Sequence, residues 1–225
     1  MAIAFDAAAT SSALGATTLT YSHTCTGSNR ILWVSVGVNS ADSTDHITGV
    51  TYSAVAMTRA VASFNDNGAN QDQVYLYYLV APATGANNVV VSSNAAKDIY
   101  SVASSYTGAK QTGQPDATQH GSTGLGVGGP NITLTFTVVA TGCWIISAAV
   151  DEQSGSPSAG TGLNATRSSQ TFESVTADTN GTVSTGSNSV TWNRATPYYV
   201  SAVAASFAPS AASVAASRLA LLGVG

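Results

Sequence analysis

The sequence predicts an all-β fold: an antiparallel β-sandwich, jelly-roll-like, with an internal duplication into two halves. Three observations carry this expectation. Short β-branched and aromatic runs recur along the chain, separated by clusters of Gly, Asn, Ser and Asp. Apolar and polar residues alternate with period two inside several of these runs, and helical periodicity is confined to the tail, 211–222. The later runs also echo the earlier ones in composition and order.

Taken in order, Thr18 to Cys25 places Leu19, Tyr21, His23 and Cys25 on one face and Thr and Ser on the other, the pattern of a half-buried strand. Ile31 to Val38 follows a Gly-Ser-Asn turn. Thr48 to Arg59 reads as a hairpin or two short strands. Gln73 to Val80 is apolar on both faces and reads as a central strand. Asn88–Ser92 and Ile99–Tyr106 complete the first half. A Gly-rich stretch, His120 to Pro130, interrupts the pattern and reads as a flexible connector. Strands then resume at Ile132–Val139, Cys143–Val150, Thr171–Thr176, Ser189–Asn193 and Tyr199–Phe207.

The repeat rests on four matches. Thr18-Leu19-Thr20-Tyr21 matches Thr133-Leu134-Thr135-Phe136, and Ile31 to Ser35 resembles Cys143 to Ser147. Thr84-Gly85-Ala86-Asn87 matches Thr185-Gly186-Ser187-Asn188, and Ser101 to Tyr106 matches Ala202 to Phe207. The expected organisation is one β-sandwich over 1–209, with a first half at 17–109, a connector at 110–130, a second half at 131–209 and a C-terminal arm at 210–225. Each half alone would expose a large apolar face, and stacking the two face to face buries both. The second half is shorter, with no counterpart evident for the Thr48–Arg59 hairpin.

Composition narrows the function. Hydrophobic residues make up 44% and charged residues only 8%, against roughly a quarter in ordinary soluble domains. A surface with so few charges repels its neighbours weakly and tolerates close contact with other subunits. The net charge is −4, with seven Lys and Arg and no basic run, which argues against nucleic acid as a partner. No apolar run approaches the ~20 residues of a membrane span. The start, Met1 to Ser11, lacks a secretory pattern, so a particle assembled inside a cell is expected. On that basis Asn131-Ile132-Thr133, Asn164-Ala165-Thr166 and Asn180-Gly181-Thr182 are chance glycosylation matches. Cys25 and Cys143 form no disulfide framework and read as buried thiols.

No residue pattern nominates catalysis, a cofactor or a metal. Asp151 and Glu152 are adjacent and would point to opposite faces of a strand, unlike a converging carboxyl pair. Asp42 and Asp45, with Ser43, Thr44 and His46, form the one acidic loop; its spacing is that of a turn rather than an EF-hand. His23, His46 and His120 are far apart, and no nucleophile elbow is present. The Gly-rich run lacks the Lys-Ser or Lys-Thr of a phosphate loop. Trp33, Trp144, Trp192, Tyr75, Tyr77, Tyr78, Tyr198 and Tyr199 fall within strand patterns and are expected in a core or subunit interface, with a sugar-stacking platform as the alternative.

One series of motifs resembles a known module. It comprises Thr18-Leu19-Thr20, Ser28 to Val34, Val50-Thr51-Tyr52 with Met57-Thr58, and Tyr78-Leu79-Val80 with Pro82 and Gly85. It ends with Ser105 to Gly108 and Gln111-Thr112. In that order they resemble a sandwich module of bacterial surface proteins and phage particle proteins. The resemblance implies a jelly-roll-like fold, surface or virion placement and no transferable catalytic residues. The expected function is therefore a non-enzymatic virion structural protein, in capsid decoration or another outer-surface or tail position. Its partners would be other virion subunits, including copies of itself. A carbohydrate-binding or adhesin module at a cell surface is the alternative, with a glycan as ligand. In the tail, Leu219, Leu221, Leu222 and Val224 supply apolar surface for an arm on a neighbouring subunit.

Overall fold

A computed structural model describes residues 1–40, 42–64, 72–123, 131–151, 157–169, 174–194 and 200–211. Among these the regular structure is entirely β. The first half contains β1 (Ala4–Cys25), β2 (Ile31–Asn39), β3 (Ile47–Tyr52), β4 (Val55–Ala56), β5 (Thr58–Phe64), β6 (Gln73–Val80) and β7 (Gly85–Thr107). The second contains β8 (Ala117–Thr123), β9 (Asn131–Val138), β10 (Trp144–Asp151), β11 (Ser158–Ala159), β12 (Ala165–Ser169), β13 (Ser174–Asp178), β14 (Gly186–Asn193) and β15 (Val200–Phe207). All pairings are antiparallel.

The two longest strands shape the first half. The start of β7 pairs with β3 and with Thr18–Cys25 of β1; its end pairs with β2 and with Ala4–Ala13 of β1. Register shifts between Ala13 and Thr18 mark where β1 crosses from one layer to the other. The result is a nearly closed sheet wrapped around a core of Leu19, Leu32, Val34, Val36, Tyr52, Tyr75, Val89, Val91 and Ile99, among others. The second half separates the same layers into two sheets, ordered β12-β13-β10-β15-β8 and β11-β14-β9. Its own core includes Ile132, Leu134, Ile145, Val175, Val190 and Trp192.

A third apolar cluster lies between the halves. It joins Ile31, Trp33, Val74, Leu76 and Tyr106 to Trp144, Ile146, Ala148, Val150, Val203 and Phe207. The face-to-face stack is therefore present, and each half also has a core of its own. This explains why β2, β10 and β15 are buried along their whole length apart from Asn39: one face meets the half's own core, the other meets the seam. Gly37 in β2 lets the layers approach there, since a Cβ would lie 2.9 Å from Ser174 Cβ.

Strand order and pairing correspond between the halves. Layer β5-β6-β2-β7-β1 has the order of β12-β13-β10-β15-β8, and β3-β7-β1 that of β11-β14-β9. Tyr106 pairs with Ile31 as Phe207 pairs with Trp144. Leu19 faces Val91 as Ile132 faces Trp192. The sequence matches in the last two strands follow this correspondence, whereas those in the first two do not. Ile31 is equivalent to Trp144 rather than Cys143, and Thr20, not Thr18, to Thr133. A one-residue slip exchanges the faces of a strand, so the sequence alignment would have set seam-facing Trp33 against core-facing Ile145.

Other boundaries also differ from expectation. The first half begins at Ala4 rather than 17, because its Ala- and Ser-rich opening pairs along β7 despite weak β-propensity. Asn88–Ser92 and Ile99–Tyr106 are parts of one strand. Residues 110–130, expected as a connector, contain β8, which pairs with β15 from Ala117 to Thr123. The Thr48–Arg59 region has reduced counterparts in two-residue β11 and in β12.

Candidate functional site

The most suggestive trio of side chains joins β1 to β7. The Ser105 hydroxyl donates to Asp6 Oδ2 at 2.8 Å, and His23 Nε2 lies 3.0 Å from the same hydroxyl. Asp6 sits at a register shift in β1 and also accepts the Thr26 N–H at 2.8 Å and the Thr26 hydroxyl. The residue types are those of a hydrolase, but the order is wrong. The single hydroxyl proton goes to the carboxylate, so Nε2 must donate to the serine rather than take its proton. Ser105 and His23 are both buried. Burial lowers the His23 pKa to about 4, against the pull of nearby Asp6, and keeps the ring neutral. For Asp6, burial raises the pKa, but the Thr26 and Ser105 hydrogen bonds outweigh it and the net shift is downward.

The second half repeats the carboxylate without the histidine. Asp116 accepts the Val139 and Ala140 N–H groups at 2.8 and 2.9 Å and the Ser206 hydroxyl at 3.2 Å. Val139 stands where Thr26 does, Ser206 where Ser105 does, and Phe136 replaces His23. A role shared by both halves and indifferent to histidine is structural: each carboxylate ties the end of an outer strand to the inner layer.

The acidic loop is a turn closed on itself. The Thr44 N–H donates to Asp42 Oδ1 at 2.8 Å, and this bond leads the causes that hold the Asp42 pKa near about 2. His46 Nε2 lies 2.8 Å from the same oxygen, and its Nδ1 lies 2.9 Å from Asn94 Oδ1. Gln73 donates to the Asp42 and Thr44 carbonyls, and the Tyr75 hydroxyl donates to Gln73. Asp45 pairs with Arg59 at 2.5 Å, and that guanidinium lies over Tyr75 and Tyr77. Among the described residues, no three His, Cys, Asp or Glu side chains converge as metal ligands.

The remaining candidates disperse. Asp151 is buried at the end of β10, where it influences Arg194, and Glu152 lies outside the described residues. His120 is on β8, away from the other two histidines. Cys25 and Cys143 are free and buried, and burial raises both thiol pKa values, that of Cys143 to about 12. Trp33, Trp144, Trp192, Tyr75 and Tyr77 are buried, so those rings offer no exposed stacking face; Tyr78 is half-buried against Trp33. Tyr198, Tyr199, Leu219, Leu221, Leu222 and Val224 lie outside the described residues.

What the fold does present is a pair of uncharged outer faces. On the second half, Asn131, Thr133, Thr135 and Thr137 stand opposite Asn193, Thr191, Ser189 and Ser187. Thr133 and Thr191 hydroxyls are 2.9 Å apart, and those of Thr135 and Ser189 are 2.7 Å apart. On the first half, Thr18, Thr20, Ser22 and Thr24 stand opposite Ser92, Val90, Asn88 and Ala86. The polar half of the period-two alternation signals these rows in the sequence; their pairing into ladders needed the register. No family model matches the chain, and neither a curated protein nor a solved structure is significantly similar to it.

Proposed function

We propose that the protein is a non-enzymatic structural protein of a virion, placed on the capsid surface or tail, and that its two halves arose by duplication. The observation that carries the reading is the pair of neutral, hydroxyl-paved faces on opposite sides of the four-layer stack. The paired rows of these faces carry no charged side chain to desolvate when a neighbour is seated on them, which suits repeated contact in a particle. The buried and misordered Ser–His–Asp trio supports a binding rather than a catalytic role. The resemblance to phage particle modules, carried by the motif series alone, favours the virion. An adhesin or glycan-binding module is the second reading; burial of most of the strand aromatics weighs against it.

Mass spectrometry of gradient-purified particles from the source culture tests the proposal. The protein should co-purify at a copy number comparable to capsid or tail subunits. Its absence from particles, together with specific binding on a glycan array, would replace this reading with the second.

A further inference from the structure

We propose that the Ala7–Ala13 edge of β1 pairs antiparallel with the same edge of a second copy, continuing the inner sheet from one molecule into the next. An edge strand exposes a row of unpaired N–H and C=O groups, and proteins ordinarily blunt it. Among the described residues, the other sheet edges are blunted. β4 and β11 are two residues long. β5 is bulged between Arg59 and Val61 and carries Arg59; β12 is bulged between Thr166 and Ser168 and carries Arg167. On the second half, the side equivalent to β1 is partly closed: Gln119 of β8 donates to the Thr135 carbonyl of β9, and Ser63 donates to the Gly121 carbonyl.

The Ala7–Ala13 stretch of β1, which lies between that strand's register shifts, carries none of these devices. Among the described residues it pairs with β7 alone, and its register runs without a shift from Ala7 to Ala13. That stretch, Ala-Ala-Ala-Thr-Ser-Ser-Ala, has no charge and no proline. Ala8, Thr10 and Ser12 are exposed, and the segment is bracketed by two of the few exposed large apolar side chains, Phe5 at 37% and Leu14 at 72%. Small side chains let a second backbone approach, and an uncharged edge can meet its own copy without like-charge repulsion. Isologous pairing of this kind places the same residues on both sides of a two-fold axis. Seven residues bury less than the ~1,200 Å² at the lower end of stable interfaces, so the pairing is concentration-dependent and suited to a crowded particle surface.

The purpose of this contact rests on the virion reading, but its existence can be tested without a particle. Sedimentation equilibrium of the full chain, from low micromolar to millimolar concentration, should show a monomer–dimer transition. Thr10→Lys/Ser12→Lys should weaken the dimer by about tenfold or more with unchanged circular dichroism and melting temperature. Mixing it with Thr10→Glu/Ser12→Glu should restore association. Single cysteines at 8, 10 and 12 should give an oxidised dimer for at least one position, against the buried Cys25 and Cys143. A wild-type monomer throughout the range overturns the proposal. So does a dimer insensitive to these charges but lost on deleting 212–225, which would assign the contact to the tail. A protein that pairs through this edge yet is absent from particles defeats the virion reading and leaves the pairing standing.

Discussion

Within the seam, the Tyr106 hydroxyl donates to Asp178 at 2.5 Å. The Asp178 carboxylate also holds Arg167 through two nitrogens at 2.5 and 2.7 Å. Next to it, with its ring centroid 5.0 Å from that of Tyr106, Phe207 joins half-buried Tyr78 in closing on Trp33, at 5.7 and 5.4 Å from it. These are equivalent positions: Tyr106 corresponds to Phe207, and Asp178, opposite Ile146, corresponds to Tyr78, opposite Trp33. One frame thus supports a buried ion pair at one corner and an aromatic cluster at the other. The difference teaches that the seam is held by shape and apolar area, with polar chemistry fitted locally. Arg167 illustrates the fit: its guanidinium lies 3.9 Å from the Phe5 ring centroid, so one residue bridges Asp178 and the opposite half.

The most severe test removes one partner at the polar corner. Asp178 is wholly buried and the Arg167 side chain nearly so. Asp178→Ala leaves a desolvated guanidinium and an unpaired Tyr106 hydroxyl, and should cost ~3–5 kcal/mol in urea unfolding. Tyr78→Ala at the equivalent aromatic corner strands no charge and should cost clearly less. Equal losses would mean that the ion pair contributes only as packing.

A milder test exchanges the hydroxyls. Tyr106→Phe should cost ~1–3 kcal/mol by taking a donor from Asp178, and Phe207→Tyr should cost a similar amount by burying a hydroxyl among aromatic rings. The two rings lie 5.0 Å apart, so a double exchange less destabilising than the sum of the singles would measure their direct coupling.

How much of this was legible in the sequence depends on which signal each feature leaves. The buried faces of β1 and β9 were readable because Leu19, Tyr21, His23 and Cys25 alternate with Thr and Ser, as Ile132, Leu134 and Phe136 do with Thr. The buried thiols followed from residue type. The opening of β1 was missed because Ala and Ser leave no β signature; its pairing is imposed by β7. The equivalence of Asp6 and Asp116 was invisible because the carboxylates are isolated acids, joined to their N–H partners only by the fold. The register of the first strands went astray because Thr or Ser alternates with apolar residues at period two in both, so that a two-residue slip keeps the pattern, and only hydrogen-bonded pairing decides between the alternatives.

The inner faces can be compared through pH. His23 and Phe136 are equivalent, but only His23 titrates. Its pKa is about 4 in the fold and near 6.5 in the unfolded chain. The unfolded state therefore binds more protons below 6.5, and stability present above that pH is lost as pH falls toward 4. Asp6, lowered by its hydrogen bonds, adds a further loss below its ordinary value of 3.8. His23→Phe should flatten the stability profile between pH 6.5 and 4 by on the order of 2 kcal/mol, leaving the decline at lower pH. An unchanged slope would place the sensitivity in another group.

The smallest effect on stability is expected on the outer faces, where it separates folding from assembly. Thr20 and Thr135 are exposed on opposite outer layers, one in each half. Thr20→Lys should change stability by no more than ~0.5 kcal/mol, the usual range for a surface substitution away from special features. Thr135→Lys also removes the contact with the Ser189 hydroxyl and should cost up to ~1 kcal/mol, the upper range for one cross-strand pair. Neither change reaches a core, so thermal melts should nearly overlay. Incorporation into particles should respond differently, because a lysine ammonium pressed against a neighbouring subunit must be desolvated without a partner. Loss of incorporation for one variant alone would identify which half faces the particle and which faces solvent. Loss for both would mean that the molecule is sandwiched between neighbours. Normal incorporation of both, with folding intact, would remove the outer faces from the assembly and leave the strand edges as its remaining surface.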